Sequence, residues 1–432
     1  MNFPQKLLAS LALGCMAFGS AQATELVAAD SKQLALQPSH ALPEAPLRLH
    51  ARDLASIKAA WQARHQPHAA AVDQLLDEAE KLLAELPPSV VGSDPGVDKE
   101  SPNDYVSLAP YWWPNPDTAD GLPWVKHDGR RNPWVDDPRS SKAAWNRFAN
   151  SVEVLALAGY YTDDARFGNK AVDYMRTWMI APATRMNPHL KFAQSVPGVA
   201  KGRSFGIIDF VLLPRVLDAL RLVSAQGLLD TNARAQADLW LAELLDWLQQ
   251  SPLGITERDA HNNHGTFYDV QVLALQLHLG RMQEARATYK RSQARLLNHI
   301  AADGGQPHEL HRTRPFGYSV YNLRAFFTIA DLARHLQADF WQWPDDNAAL
   351  ARALNYIVAR AERDNWGGDE EPLLKRYRLT SLLLMAYRED QPVLAAGAKL
   401  SSALALSCLA RFPAPAAEVN PANWDAAAGC FY

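Results

Sequence analysis

The chain has 432 residues, 48% of them hydrophobic and 21% charged, with a formal net charge of −4. That is globular composition with ample length for a large core. It excludes a general nucleic-acid binder, which carries a basic surplus, but not a protein for an acidic ligand, since a few cations in one cleft suffice.

Lys6 precedes the apolar run Leu7 to Phe18, and Ala21-Gln22-Ala23 supplies a small-x-small cleavage site. This predicts a secretory signal peptide over 1–23, cut after Ala23, and export of the rest. The run is too short to span a bilayer. Cys15 after Gly14 raises a lipoprotein signal, which the residues before it fit poorly. No later stretch is long and apolar enough for membrane insertion after signal cleavage. Cys408 and Cys430 would then sit in an oxidising compartment, where a bridge and a buried free Cys408 both stand open.

Thr24 to Leu49 lacks periodicity. Apolar residues at three- and four-residue spacing predict helices over Ala51–Gln66 and His68–Leu86, ended by Pro87-Pro88. Val90 to Pro138 breaks the pattern with prolines, glycines and aromatics, including Tyr111-Trp112-Trp113-Pro114. Irregular segments of this length are either functional or wrap the core edge. Helical spacing returns at Ser140–Tyr161, Asp163–Met179, Phe205–Ala225, Thr231–Gln250, Thr266–Leu279, Gln283–Ile300, Gly317–Leu336, Asn347–Arg363, Glu371–Arg388 and Val393–Arg411. Short connections imply antiparallel hairpins, and no strict repeat suggests a solenoid. The expected fold is all-α: an (α/α) toroid, an incomplete double barrel of helical hairpins, in a single domain over 24–432.

Two polar stretches each precede a long apolar run: His261-Asn262-Asn263-His264-Gly265-Thr266-Phe267-Tyr268-Asp269, and His308-Glu309-Leu310-His311-Arg312-Thr313-Arg314-Pro315-Phe316-Gly317-Tyr318. Asn263 and His264 can both reach a carboxylate. Arg312 offers a planar fork for the same group. Tyr318 carries a hydroxyl able to move a proton, more readily if nearby cations favour its phenolate. The pairs His261/His264 and His308/His311 suggest zinc, but they lack the His-Glu-x-x-His pattern and a cysteine cluster, so no metal is assigned. Asp259, Asp269, Glu370 and Glu371 could supply two carboxylates for glycoside hydrolysis, a weak signal.

The pair Asn263-His264, with Arg312 and Tyr318 downstream, resembles the active-site set of the alginate lyase superfamily of polysaccharide lyases. The loop Ser101 to Pro114 is similar to the branch called polysaccharide lyase family 38, more than to the mannuronate lyases of family 5. The resemblance spans roughly Leu75 to Tyr387. It implies the toroid, a periplasmic enzyme and β-elimination on 1,4-linked uronans such as alginate or glucuronan, leaving C4–C5 unsaturated ends. Arg312 and Asn263 would neutralise the uronate carboxylate, and Tyr318 would act as base and then acid. His264 would be a neutraliser, a partner that ionises Tyr318, or itself the base. Tyr111, Trp112 and Trp113 are expected at the sugar-binding rim, with Gln194, Arg203, Tyr268, His311 and Arg314 lining subsites. The chemistry needs no organic cofactor, and the expected partner is an acidic polysaccharide. A hydrolase on the same toroid and a non-catalytic periplasmic uronan-binding protein are the alternatives.

Overall fold

Helices that alternate between an inner and an outer layer set the architecture. The computed structural model describes residues 45–93, 96–97, 99–344, 348–362, 366, 376–389, 404–413, 424–425 and 430. The expected signal peptide, 1–23, lies outside them, as do Glu370 and Glu371.

Helices α1 (Ala51–Gln62) and α2 (His68–Ala84) form the first hairpin. The irregular segment follows, with strands β1 (Val106–Leu108), β2 (Trp112–Trp113) and β3 (Val125–Lys126). Next come α3 (Ser141–Thr162), α4 (Ala165–Met175) and β4 (Phe192–Ser195). The chain continues with α5 (Leu213–Ala225), α6 (Thr231–Gln250), α7 (Pro252–Arg258) and α8 (Asn263–His278). Helices α9 (Met282–His299), α10 (Pro307–Leu310), α11 (Pro315–Ala333), α12 (Ala349–Glu362) and α13 (Thr380–Arg388) complete the described helical set.

Helices α3, α5, α8 and α11 are buried around most of their circumference, which marks them as the inner layer. They pack in sequence, α3 on α5, α5 on α8 and α8 on α11, with α13 also against α11. Helices α4, α6, α9 and α12 back them from outside, each burying one face. This is the expected all-α toroid, and residues 43–432 form one compact unit. Among the described residues no helix is long and apolar enough to cross a membrane.

The departures from sequence expectation have local causes. Asp163 takes a left-handed conformation (φ 58°) that ends α3, so α4 starts only after Asp164 caps it. Pro214 lacks an N–H and suits a helix start, so the expected helix Phe205–Ala225 divides into a 3-10 turn, Ser204–Phe210, and α5. The expected helix Val393–Arg411 is not α-helical where described. Leu404–Ala405 is a strand paired with Trp424–Asp425, and Leu406–Ala410 is a 3-10 turn. A disulfide joins Cys408 in that turn to Cys430. The irregular segment is pinned rather than free: β1 pairs in parallel with β4, and β2 pairs with β3.

Candidate active site

A cavity of about 1050 Å³ opens where the N-terminal ends of α3, α5, α8 and α11 meet the Trp-rich segment. Four helix N-termini together favour negative charge there. The walls add Lys126, Arg131, Lys142, Arg203, Arg312 and Arg314 against the acids Asp128 and Asp209. An overall acidic chain thus holds a basic cavity.

Both polar stretches reach it. The side chain of Asn262 accepts the His264 N–H (3.1 Å), so helix α8 begins three residues earlier than its apolar spacing suggests. Asn263 and His264 therefore occupy its first turn. The Asn263 backbone N–H and its side-chain amide donate to the two oxygens of Glu309, at 2.7 and 2.8 Å. His264 meets Glu257 through Nδ1 at 2.6 Å, and its ring packs edge-on against Phe205 at 4.8 Å. Both glutamates are buried. Burial pushes the Glu309 carboxyl up, against the two Asn263 hydrogen bonds. With Nδ1 committed to Glu257, Nε2 is the ring nitrogen left for other partners.

Tyr318 lies one turn into α11. Its hydroxyl accepts from Arg312 Nη2 (3.0 Å) and pairs with the Tyr111 hydroxyl (2.7 Å), while the Arg312 guanidinium lies 4.0 Å from the ring centroid. Burial and the neighbouring Tyr111 raise the Tyr318 phenol well above its ordinary value, and Arg312 offsets only part of this. The phenolate expected from nearby cations is therefore not the resting form: desolvation outweighs the cation.

The facing wall comes from β4 and the turn after it. Gln194 has a left-handed backbone (φ 49°), a strained conformation for a side chain other than glycine. Its N–H donates to Ser107 Oγ (2.8 Å), which donates to Asp209 (2.5 Å). Tyr105 also donates to Asp209 (3.1 Å), and Lys142 forms an ion pair with it (3.1 Å). Arg203 donates to the Gln194 carbonyl (3.1 Å) and side-chain oxygen (3.0 Å) and lies near the rings of Phe205 and Trp112. Gly206 makes this shelf possible, because a Cβ there would stand 2.4 Å from that of Ala193.

The cavity thus gathers Asn263, His264, Arg312, Arg314, Tyr318, Tyr111, Trp112, Gln194 and Arg203. Three expected substrate-binding residues lie outside its lining. Tyr268 is in the core, with its hydroxyl on the Leu248 carbonyl (3.0 Å). His311 is exposed on the turn that carries Arg312. Trp113 donates its indole N–H to the Arg130 carbonyl (3.0 Å), on the face of β2 opposite Trp112. Sequence reasoning gave no role to Glu257, Glu309, Lys142 or Asp209. Their signal was the placement of charged residues in segments otherwise destined for burial.

The alternative chemistries fare differently. Asp269 is buried and paired with Arg291 and Arg295, and Asp259 pairs with Arg258; neither lines the cavity. Among the described residues, the one cluster of three potential metal ligands is His50, Asp331 and Glu389, where Arg388 already pairs with both acids. It includes no histidine of the two polar stretches.

Comparison with known proteins agrees with the geometry. Residues 93–366 match the family described as Alginate lyase. An alginate lyase from Bacteroides ovatus, of known crystal structure, has 30% sequence identity and a TM-score of 0.75, over 86% of this chain and 96% of that one. Alginate lyase A1-III from Sphingomonas species A1, at 13% identity and a TM-score of 0.53, covers 82% of this chain and 91% of its own, and shares the fold. A structure described as A1-III complexed with tetrasaccharide aligns similarly, with a TM-score of 0.55 and 14% identity over 82% of this chain and 91% of its own. No curated protein sequence matches. The chain belongs to the alginate lyase family and is a polysaccharide lyase.

Proposed function

We propose that this enzyme cleaves 1,4-linked uronans, alginate or glucuronan, by β-elimination, with His264 as base and Tyr318 as acid. The observation that carries this reading is the Tyr318 hydroxyl, held protonated by burial between Arg312 and Tyr111, in the same cavity as the His264–Glu257 pair. An acid must hold its proton before the reaction, and a base must offer an unengaged lone pair. Tyr318 meets the first condition. His264 meets the second through Nε2.

The C5 proton of a uronate is a poor acid while its carboxylate is charged. Arg312, with the Asn263 amide hydrogen not bonded to Glu309, neutralises that carboxylate and stabilises the enolate-like charge. His264 Nε2 takes H5. The C4–C5 double bond forms as the C4–O4 bond breaks, and the Tyr318 proton passes to O4. The proton then returns from His264 to Tyr318 through solvent, so the enzyme is restored. Of the roles the sequence left open for His264, this reading takes the base, and it leaves Tyr318 the acid.

The Ser101-to-Pro114 loop, similar to that of polysaccharide lyase family 38, supports this branch of the family as part of the reading. Export to the periplasm is part of the same proposal: the N-terminal pattern fits a cleaved signal, and the Cys408–Cys430 bridge suits an oxidising compartment. The test is the mature protein against polymannuronate, polyguluronate and glucuronan, followed by ultraviolet absorbance. Growth of the absorbance of an unsaturated uronate on at least one polymer is expected. New reducing ends without that absorbance would indicate a hydrolase, and binding without turnover a carrier.

A further inference from the structure

The cavity continues past the reaction centre, along the inner helices. On α11, Tyr318, Tyr321 and Arg324 succeed one another at three-residue spacing, and all three line it. That spacing keeps them on one face and carries the lining roughly 9 Å along the helix axis. On α3, Lys142, Asn146 and Asn150 do the same at four-residue spacing over roughly 12 Å. Arg215, on the first turn of α5, lines the same cavity beside Asn150.

Two buried arginines stand in this extension, at 9% and 8% exposure for Arg215 and Arg324. Arg215 donates to Asn150 Oδ1 (2.8 Å) and stands 3.6 Å from Glu153, a carboxylate that also pairs with Arg48 and Arg411. Arg324 lies over the rings of Tyr321 (4.8 Å) and Phe267 (5.5 Å). Burial lowers both guanidinium pKa values; Glu153 opposes this for Arg215, and repulsion from neighbouring arginines adds to it. Arginines that crowd one another inside a cavity are stabilised by an anion, and a planar fork suits a carboxylate.

We propose that Arg215 and Arg324 form a second anion subsite, which takes the carboxylate of a uronate residue beyond the one that reacts. This rests on the uronan-lyase reading and deepens it. A polymer with a carboxylate on every residue presents one charge to Arg312 and, farther along the same strand, another to Arg324. The enzyme then recognises a run of uronates rather than a single one, and neutral residues at the inner position weaken binding.

The test is steady-state kinetics of the whole protein and of Arg324→Met on uronan oligomers of increasing length. Methionine keeps an unbranched stem and removes the charge. The ratio of parent to variant kcat/KM is expected to grow by at least about tenfold from the shortest cleavable oligomer to the longest, mainly through KM. An equal loss at every length, or no loss, overturns the subsite. If Arg324→Met fails to fold in a thermal melt, Arg324→Lys replaces it: a penalty that grows with oligomer length supports the proposal, and a uniform one or none overturns it. Calorimetric binding of the same oligomers to Tyr318→Phe, with and without the Arg324 change, separates this from the reaction itself. If the parent cleaves no uronan, the lyase reading fails; length-dependent binding that needs Arg324 would still uphold the subsite, and absence of binding would remove both.

Discussion

The two walls of the cavity mouth are built differently. On the α8 side, Asn263 and His264 are each tied to a separate buried glutamate, Glu309 and Glu257, carried on the short helices α10 and α7. On the Trp-rich side, Tyr111 reaches Tyr318 through one hydroxyl–hydroxyl contact, from a segment anchored by β1–β4 pairing and by Asp209. The first wall fixes the proposed base and its neighbouring amide by bonds to buried carboxylates, which are strong and costly to leave unmade. The second presents rings and hydroxyls that can exchange a protein partner for a sugar. Rigidity is concentrated where proton transfer needs geometry, and exchangeable contacts where polymer must enter.

Substitutions can break this comparison. The largest effect belongs to the Tyr318 hydroxyl, which Arg312 and Tyr111 hold. Tyr318→Phe keeps the ring and removes the proposed acid, and turnover should fall at least about 10²-fold with little change in affinity. A folded variant that turns over near the parent rate would take Tyr318 out of the mechanism. Glu257→Gln tests the rigid wall. Turnover should drop roughly ten- to a hundredfold while KM holds, because His264 loses an orienting charged partner rather than a substrate contact. Glu257→Asp should recover part of the loss. A change in melting temperature alone would make Glu257 a packing residue.

On the other wall, Asp209→Asn loosens Ser107, Tyr105 and Lys142 together and with them the strained Gln194. KM for uronan should rise about tenfold, with kcat less affected. The smallest change is Tyr111→Phe, read from the pH profile. Tyr111 helps hold the Tyr318 phenol up, so an acid there stays active above the ordinary tyrosine value of about 10. Removing the Tyr111 hydroxyl should move the alkaline limb of kcat to lower pH and reduce neutral-pH turnover only a few-fold. A limb that stays in place would show that burial alone sets the proton affinity of Tyr318.

The same contrast explains what the sequence disclosed. Helices α3, α6, α9 and α11 follow from apolar spacing, and their ends mostly agree within a few residues because caps such as Ser140 and Asp230 are local. The cluster Asn263, His264, Arg312 and Tyr318 was legible as two dense polar runs. Its supports were not. Glu257 sits on a seven-residue helix too short to show a period. Tyr111 meets Tyr318 across 207 positions, which no local pattern encodes. Tyr268 lies four residues after His264 and looks as if it shares its face, yet α8 is enclosed on all sides and that position reaches the Leu248 carbonyl instead. Arg215 and Arg324 stand inside apolar helices, where a buried charge was itself the signal to follow.

The parallel β1–β4 pairing also orders assembly. Ser107 and Gln194 are 87 positions apart, and the hairpin α3–α4 lies between them. Closing so large a loop is favourable only after the intervening helices have collapsed, since non-local contacts gain nothing until chain entropy has been lost. The helical ring is therefore the early product of folding, and the aromatic wall is added to it late. Amide exchange should reflect this order, with protection in α8 and α11 outlasting that across β1 and β4. A nascent chain would acquire its shape before its capacity to hold a sugar.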